Sequence, residues 1–237
     1  MYGYGYPYGF YFDPTYILLI IGMVLAMGAS AKMKSTFSHY QKIRSRSGLT
    51  GAQAAQRILN AAGIYDVTIV PIAGSLTDHY DPRNKTVSLS QDVYGRTSVA
   101  AVCVAAHECG HAIQHNVNYA PLNMRSAIVP IANIGSSLSW PIFLLGLIMS
   151  IPALTTAGIL LFSLAVLFQL VTLPVEFNAS SRALKMLEST GILGTDENAG
   201  ARKVLTAAAL TYVAALASSV LQLLRLVILA GGRRRDD

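Results

Sequence analysis

The chain has 237 residues, of which 53% are hydrophobic and only 13% charged, and its mean hydropathy is +0.46. Soluble domains carry about 25% charged residues, so this composition excludes an ordinary water-soluble globule and points to a membrane protein. The net charge of +6 sits largely beside apolar runs (Lys32, Lys34, Lys42, Arg44, Arg46), which suits a cytoplasmic membrane face; no nucleic-acid-reading motif accompanies it, and no nucleic-acid partner is expected.

The opening MYGYGYPYGFYFDP carries no Lys or Arg, so it lacks the basic start of a secretory signal and reads as an aromatic tail at a membrane interface. Tyr16 to Ala31 is the first apolar run, closed by Lys32 and Lys34, and reads as a membrane anchor with its C-terminal end inside. Gln53 to Ala62 predicts an amphipathic helix stopped at Gly63. Asp66 to Val70 predicts a strand, Leu76 to Lys85 a turn, and Thr86 to Ser90 a second strand, which reads either as an edge open to an extended peptide or as an ordinary strand of a small sheet. Ser98 to His115 predicts an Ala- and Val-rich helix.

Ile128 to Ile151 and Leu154 to Val175 are long apolar runs joined across Pro152, a membrane hairpin entered at Arg125. A break or helix start is expected at Pro174, with a helix of mixed polarity from Glu176 to Gly191. Thr195 to Glu197 resembles a helix start, and an apolar helix follows from Ala199 to Leu229. Residues 32–126 hold ten Lys or Arg against five Asp or Glu, so the positive-inside rule puts them, with 176–203, in the cytoplasm. Arg225 and the trailing Arg233, Arg234 and Arg235 then favour a last helix that lies in or re-enters the cytoplasmic side. The expected divisions are 1–34, 35–127, 128–175 and 176–237.

His107-Glu108-Cys109-Gly110-His111 matches HExxH. On a helix, residues four apart share a face, so two imidazoles can converge on one ion at about 2.0–2.1 Å each. Glu108 lies next to the first ligand, where a carboxylate can take a proton from water and hand it to a leaving amine. Gly110 leaves room for a close neighbour. Cys103 and Cys109 lie six apart on the same helix and point in different directions, so no disulfide is expected.

A catalytic metal needs a third protein ligand. His115 is two turns from His107, about 12 Å away, and Val117 stands where an extended HExxHxxGxxH motif needs histidine. Glu176, Glu188, Glu197, His39, His79 and the aspartates remain. Glu176 is best placed, because the hairpin returns it to the face that carries His107; the competing reading is an interfacial Glu that merely starts a helix.

HECGHAIQH, with LTDHYDPRNKTVSLS before it and LPVEFNASSRAL after it, resembles the YugP-like membrane zinc metallopeptidase family. The resemblance runs from the first span to the ALTYVAAL stretch. It implies a zinc-dependent peptidase of the gluzincin type, with Zn2+ on His107, His111 and Glu176 and with Glu108 as general base. The family is distantly similar to HtpX and CaaX-type membrane proteases, whose downstream motif ExxxD supplies a ligand and a supporting Asp. Here Ser180 stands in place of that Asp, so support for a histidine falls to Asn178, Ser180 or another residue. His79, Tyr212 and Arg182 are weaker candidates near the site, and Gln114 and His115 read as ordinary helix-face residues.

The expected architecture is a mainly α integral-membrane protein: a helical bundle with a small gluzincin-like zinc protease domain that contains a short β-sheet. The expected substrates are protein or peptide segments near the membrane, in the bacterial plasma membrane and among its lipids. Two alternatives stay open. One is a zinc hydrolase of a non-peptide substrate, marked by a closed apolar pocket. The other is a membrane scaffold whose HExxH is structural, marked by Glu176 lying more than about 10 Å from the histidines.

Overall fold

The computed structural model describes residues 13–232. The aromatic tail before them and Arg233 to Arg235 after them lie outside the described residues. In chain order the elements are α1 (Tyr16–Gln41), α2 (Gly51–Ala61), β1 (Thr68–Ile72), β2 (His79–Asp81), β3 (Thr86–Ser90), α3 (Val99–Asn116), α4 (Ala120–Ile148), α5 (Pro152–Ser189) and α6 (Thr195–Gly232).

Helices α1, α4, α5 and α6 are each long and apolar enough to cross a bilayer. They pack side by side in the order α4, α5, α6, α1, each antiparallel to the next. Close approaches fix the register. Gly158 meets Phe143 and Gly146 meets Thr155 along the α4–α5 seam, while Gly22 meets Ser218 and Gly200 meets Tyr40 along the α1–α6 seam. Val24 and Met27 of α1 are 62% and 65% exposed, and such side chains face lipid tails rather than a core.

Two expectations about these helices are corrected. No break occurs at Pro174: α5 runs unbroken from the hairpin turn through Glu176 to Ser189. Proline removes one hydrogen bond from a helix interior, but packing against α3 and α6 on either side holds the helix together. The last helix does not stay at the charged end. Val227 and Gly231 line a cavity with Gly146, Ser150 and Thr155, so α6 reaches the hairpin turn at the far end of the bundle. Arg225 is accommodated there by stacking 4.5 Å over the Tyr16 ring and donating to Thr15 Oγ1 at 3.2 Å.

The remaining elements form a small cap at the other end. Thr50 and Gln53 make a reciprocal capping box that starts α2, and Ser98 caps α3 by accepting from Ala101 N. The sheet has the order β1-β3-β2, with β1 parallel and β2 antiparallel to β3. Strand β3 is therefore central, with partners on both sides, and cannot be the edge the sequence suggested. The free edge nearest the metal motif is β2, a three-residue strand inside the stretch read as a turn. The turn is real at its tip, where Asp81 accepts from Arg83 N and Asn84 Nδ2.

Helix α3 is the axis of the cap. Small side chains let α2, α5, α6 and the sheet close around it, and Val99, Val102, Ala105 and Ala106 are fully or almost fully buried with Ile58, Leu59, Val87, Leu89 and Leu187. Each fully buried Leu, Ile or Val contributes roughly 1.5–3 kcal/mol. Cys103 and Cys109 are free and buried here, and burial pushes both thiols well above their usual range.

Candidate metal centre

His107 and His111 project from one face of α3 toward α5. Their approach depends on Gly110: a Cβ there would lie 2.5 Å from the Ala179 carbonyl oxygen, so only glycine allows α3 and α5 this close. The contact brings Glu176 into place. Its Oε2 lies 3.2 Å from His107 Nε2 and 3.6 Å from His111 Nε2, and the three donor atoms all fall within 4.8 Å of one another. Ligands at about 2.0–2.1 Å around a tetrahedral ion stand roughly 3.3–3.5 Å apart; the two Glu176–imidazole separations are close to that spacing, and the imidazole nitrogens draw together to complete a zinc site.

The outward nitrogens are held as a metal site requires. Gln114, fully buried, donates through Nε2 to the Val175 carbonyl at 2.8 Å and to Asn178 Oδ1 at 3.0 Å. Its Oε1 therefore faces His111 Nδ1, at 3.0 Å, and must accept, which puts a proton on Nδ1 and makes Nε2, on the Glu176 side, the nitrogen able to bind a metal. Arg182 Nε donates to the same Asn178 Oδ1 at 2.8 Å and fixes it as an acceptor. Ser180 Oγ lies 3.2 Å from His107 Nδ1, so the Ser in place of Asp keeps contact with a ligand. Arg125 Nη1 lies 3.6 Å from Glu176 Oε1, which leaves Oε2 to the histidines. Burial works against a charge on His111, yet Glu176 and Glu108 outweigh it and hold its proton above the usual histidine range. That negative potential suits a cation.

These donors line a cavity of about 610 Å³. Glu108, 7% exposed, lines it beside the histidines. Asp78, His79, Tyr80 and Arg83 form the wall on the sheet side, Arg125 and Val129 the wall on α4, and Tyr212 reaches in from α6. Tyr80 and His115 make a 2.8 Å hydrogen bond on the rim, and burial raises the Tyr80 hydroxyl to about 12, so it stays protonated. Asp78 accepts from Ser90 N and Oγ, which ties the start of β2 to β3.

His107, Glu108, His111 and Glu176 thus come together as the sequence suggested, and His79 and Tyr212 join them. Arg182 does not line the cavity; it sits 5.9 Å over the Tyr119 ring and braces Asn178. Glu188 and Glu197 stand apart, and Glu197 instead accepts from Arg46 N and Gly194 N to anchor the start of α6. Sequence reasoning missed Gln114 and Arg125. The position of Gln114 three residues after His111, on the same helical face, was the available signal.

The model for the family described as "Putative neutral zinc metallopeptidase" matches residues 15–231. The chain belongs to this family. It is also 48% identical over 212 residues to "Putative membrane protease YugP" of Bacillus subtilis (strain 168), an alignment that covers 90% of this chain and 94% of that protein. No solved structure matches it. Family membership, four apolar helices and a His107/His111/Glu176 cluster agree on an integral-membrane protein of the zinc metallopeptidase type.

Proposed function

We propose that the chain is a gluzincin-like endopeptidase that cuts peptide bonds of membrane-associated proteins at the cytoplasmic face of the bacterial plasma membrane. The observation that carries this reading is the convergence of His107 Nε2, His111 Nε2 and Glu176 Oε2 beside Glu108 in one cavity. His107, His111 and Glu176 would hold a zinc ion, which would supply Lewis acidity toward the attacking water and the scissile carbonyl. Glu108 takes the proton of the attacking water and passes it to the departing amine nitrogen as the C–N bond breaks. Tyr212 donates a hydrogen bond to the oxygen that gains charge on the tetrahedral carbon. Arg125 holds the second oxygen of Glu176, and Gln114 and Ser180 hold the imidazoles.

The cavity favours a peptide over the non-peptide alternative. Its walls carry His79, Arg83, Asn123 and Arg125, whereas a small apolar substrate calls for a closed apolar pocket. An extended peptide adds to the free edge of β2, through main-chain hydrogen bonds, and crosses the donors. The scaffold alternative needs Glu176 far from the histidines, and the 3.2 Å separation speaks against it. The cytoplasmic assignment rests on the Lys and Arg excess around the cap.

The test is hydrolysis of unfolded casein by the purified full chain in detergent. Wild type cleaves, a chelator stops cleavage, and zinc restores it. Glu108→Gln retains metal and loses about 10²–10⁴-fold in kcat. Cleavage by Glu108→Gln at the wild-type rate refutes the assignment of the base.

A further inference from the structure

A second cavity of about 450 Å³ lies between α5 and α6. Its lower wall is apolar, made by Phe177, Leu210 and Val213, which are 50%, 45% and 38% exposed. Its upper end carries the cations Lys185 and Arg202, one acid, Glu188, and the Ser181 and Thr206 side chains. Among the described residues neither Lys185 nor Arg202 forms an ion pair. The change from apolar to cationic follows the helix axes. It is the polarity profile of a lipid entering a headgroup layer, tail first.

The bundle register puts this groove at the right depth. With Gly22 against Ser218 and Tyr40 against Gly200, Lys32 and Lys34 stand level with Ala208 and Thr206. Those lysines close the apolar run of α1 and so mark the water-facing limit of the membrane. The groove straddles that level: Phe177, Leu210 and Val213 fall on the hydrocarbon side, and Lys185 and Arg202 on the headgroup side.

We infer that the α5–α6 groove binds one anionic phospholipid of the cytoplasmic leaflet. Lys185 and Arg202 take the phosphate, a headgroup hydroxyl donates to Glu188, and an acyl chain lies along Phe177, Leu210 and Val213. Two cations and one carboxylate leave one positive charge, which a singly charged phosphatidylglycerol neutralises and a zwitterionic lipid does not. The site is separate from the metal cavity, although Ser180 belongs to the groove wall and also touches His107.

The experiment is native mass spectrometry of the full chain released from detergent doped with phosphatidylglycerol or, separately, phosphatidylcholine. Wild type retains one phosphatidylglycerol with a roughly ten- to thirtyfold preference over phosphatidylcholine, the effect of two interfacial cations. Lys185→Glu/Arg202→Glu removes the preference. Lys42→Glu/Arg96→Glu, an equal charge change away from the groove, keeps it. Three results overturn the assignment: no preference in wild type, an unchanged preference in the groove variant, or an equal loss in the control. A lipid-free dimer also overturns it, because the groove then belongs to a second copy.

Discussion

Gln114 Oε1 accepts from His111 Nδ1 at 3.0 Å, and this one bond decides which nitrogen of His111 can bind a metal. The bond is directional only because Val175 O and Asn178 Oδ1 occupy the amide nitrogen of the same Gln114. A side chain of α3 thereby reads the backbone of α5 at the residue before Glu176, so the two halves of the metal site are positioned against each other.

Gln114→Leu removes that tie and leaves His111 Nδ1 short of a partner. The expected cost is about 1–3 kcal/mol in stability and about 10–100-fold in zinc affinity. Thermal unfolding and competition with a zinc chelator measure the two separately.

Gly110→Ala drives a methyl group into the Ala179 carbonyl. The helices must part, and Glu176 leaves the histidines. We expect a loss of zinc binding larger than that of Gln114→Leu, with a stability loss of about 1–3 kcal/mol from overpacking. Equilibrium zinc titration of the two variants gives the ranking.

Tyr212→Phe keeps the ring in the cavity and removes its hydroxyl. With zinc content unchanged, kcat falls about 10²–10³-fold, the usual effect of losing an oxyanion donor, and KM changes little. Steady-state kinetics on casein separates the two constants.

Cys103 and Cys109 are fully buried, and burial raises both thiols. A thiolate forms more readily as pH rises, so a raised thiol stays protonated and inert at pH 8. Neither should react with an alkylating reagent at that pH in the folded protein, and both should react after unfolding. Mass spectrometry of the labelled chain reads the result.

Much of this was legible locally. The Ala- and Val-rich run from Ser98 to His115 placed the HExxH helix almost to the residue, and the structure adds the Ser98 cap on Ala101 N that starts it. Glu176 was legible as a lone carboxylate beside a long apolar run. What escaped depends on distant partners. Strand β2 exists because Tyr80 pairs with Val87, and a three-residue strand inside a turn-rich stretch has no pattern of its own. The central place of β3 comes from strand pairing, which period-two alternation does not encode. Pro174 was overridden by tertiary packing. Arg125 looked like a boundary charge, because nothing in its neighbours reveals a carboxylate fifty-one positions away at 3.6 Å.

Zinc per chain, measured by elemental mass spectrometry on the purified full-length protein, tests the central claim most directly. The site geometry predicts one zinc per chain in wild type and in Glu108→Gln, and a stoichiometry near zero in His111→Ala and Glu176→Ala. A Glu176→Ala protein that stays folded and keeps its full complement of zinc would contradict the three-ligand centre.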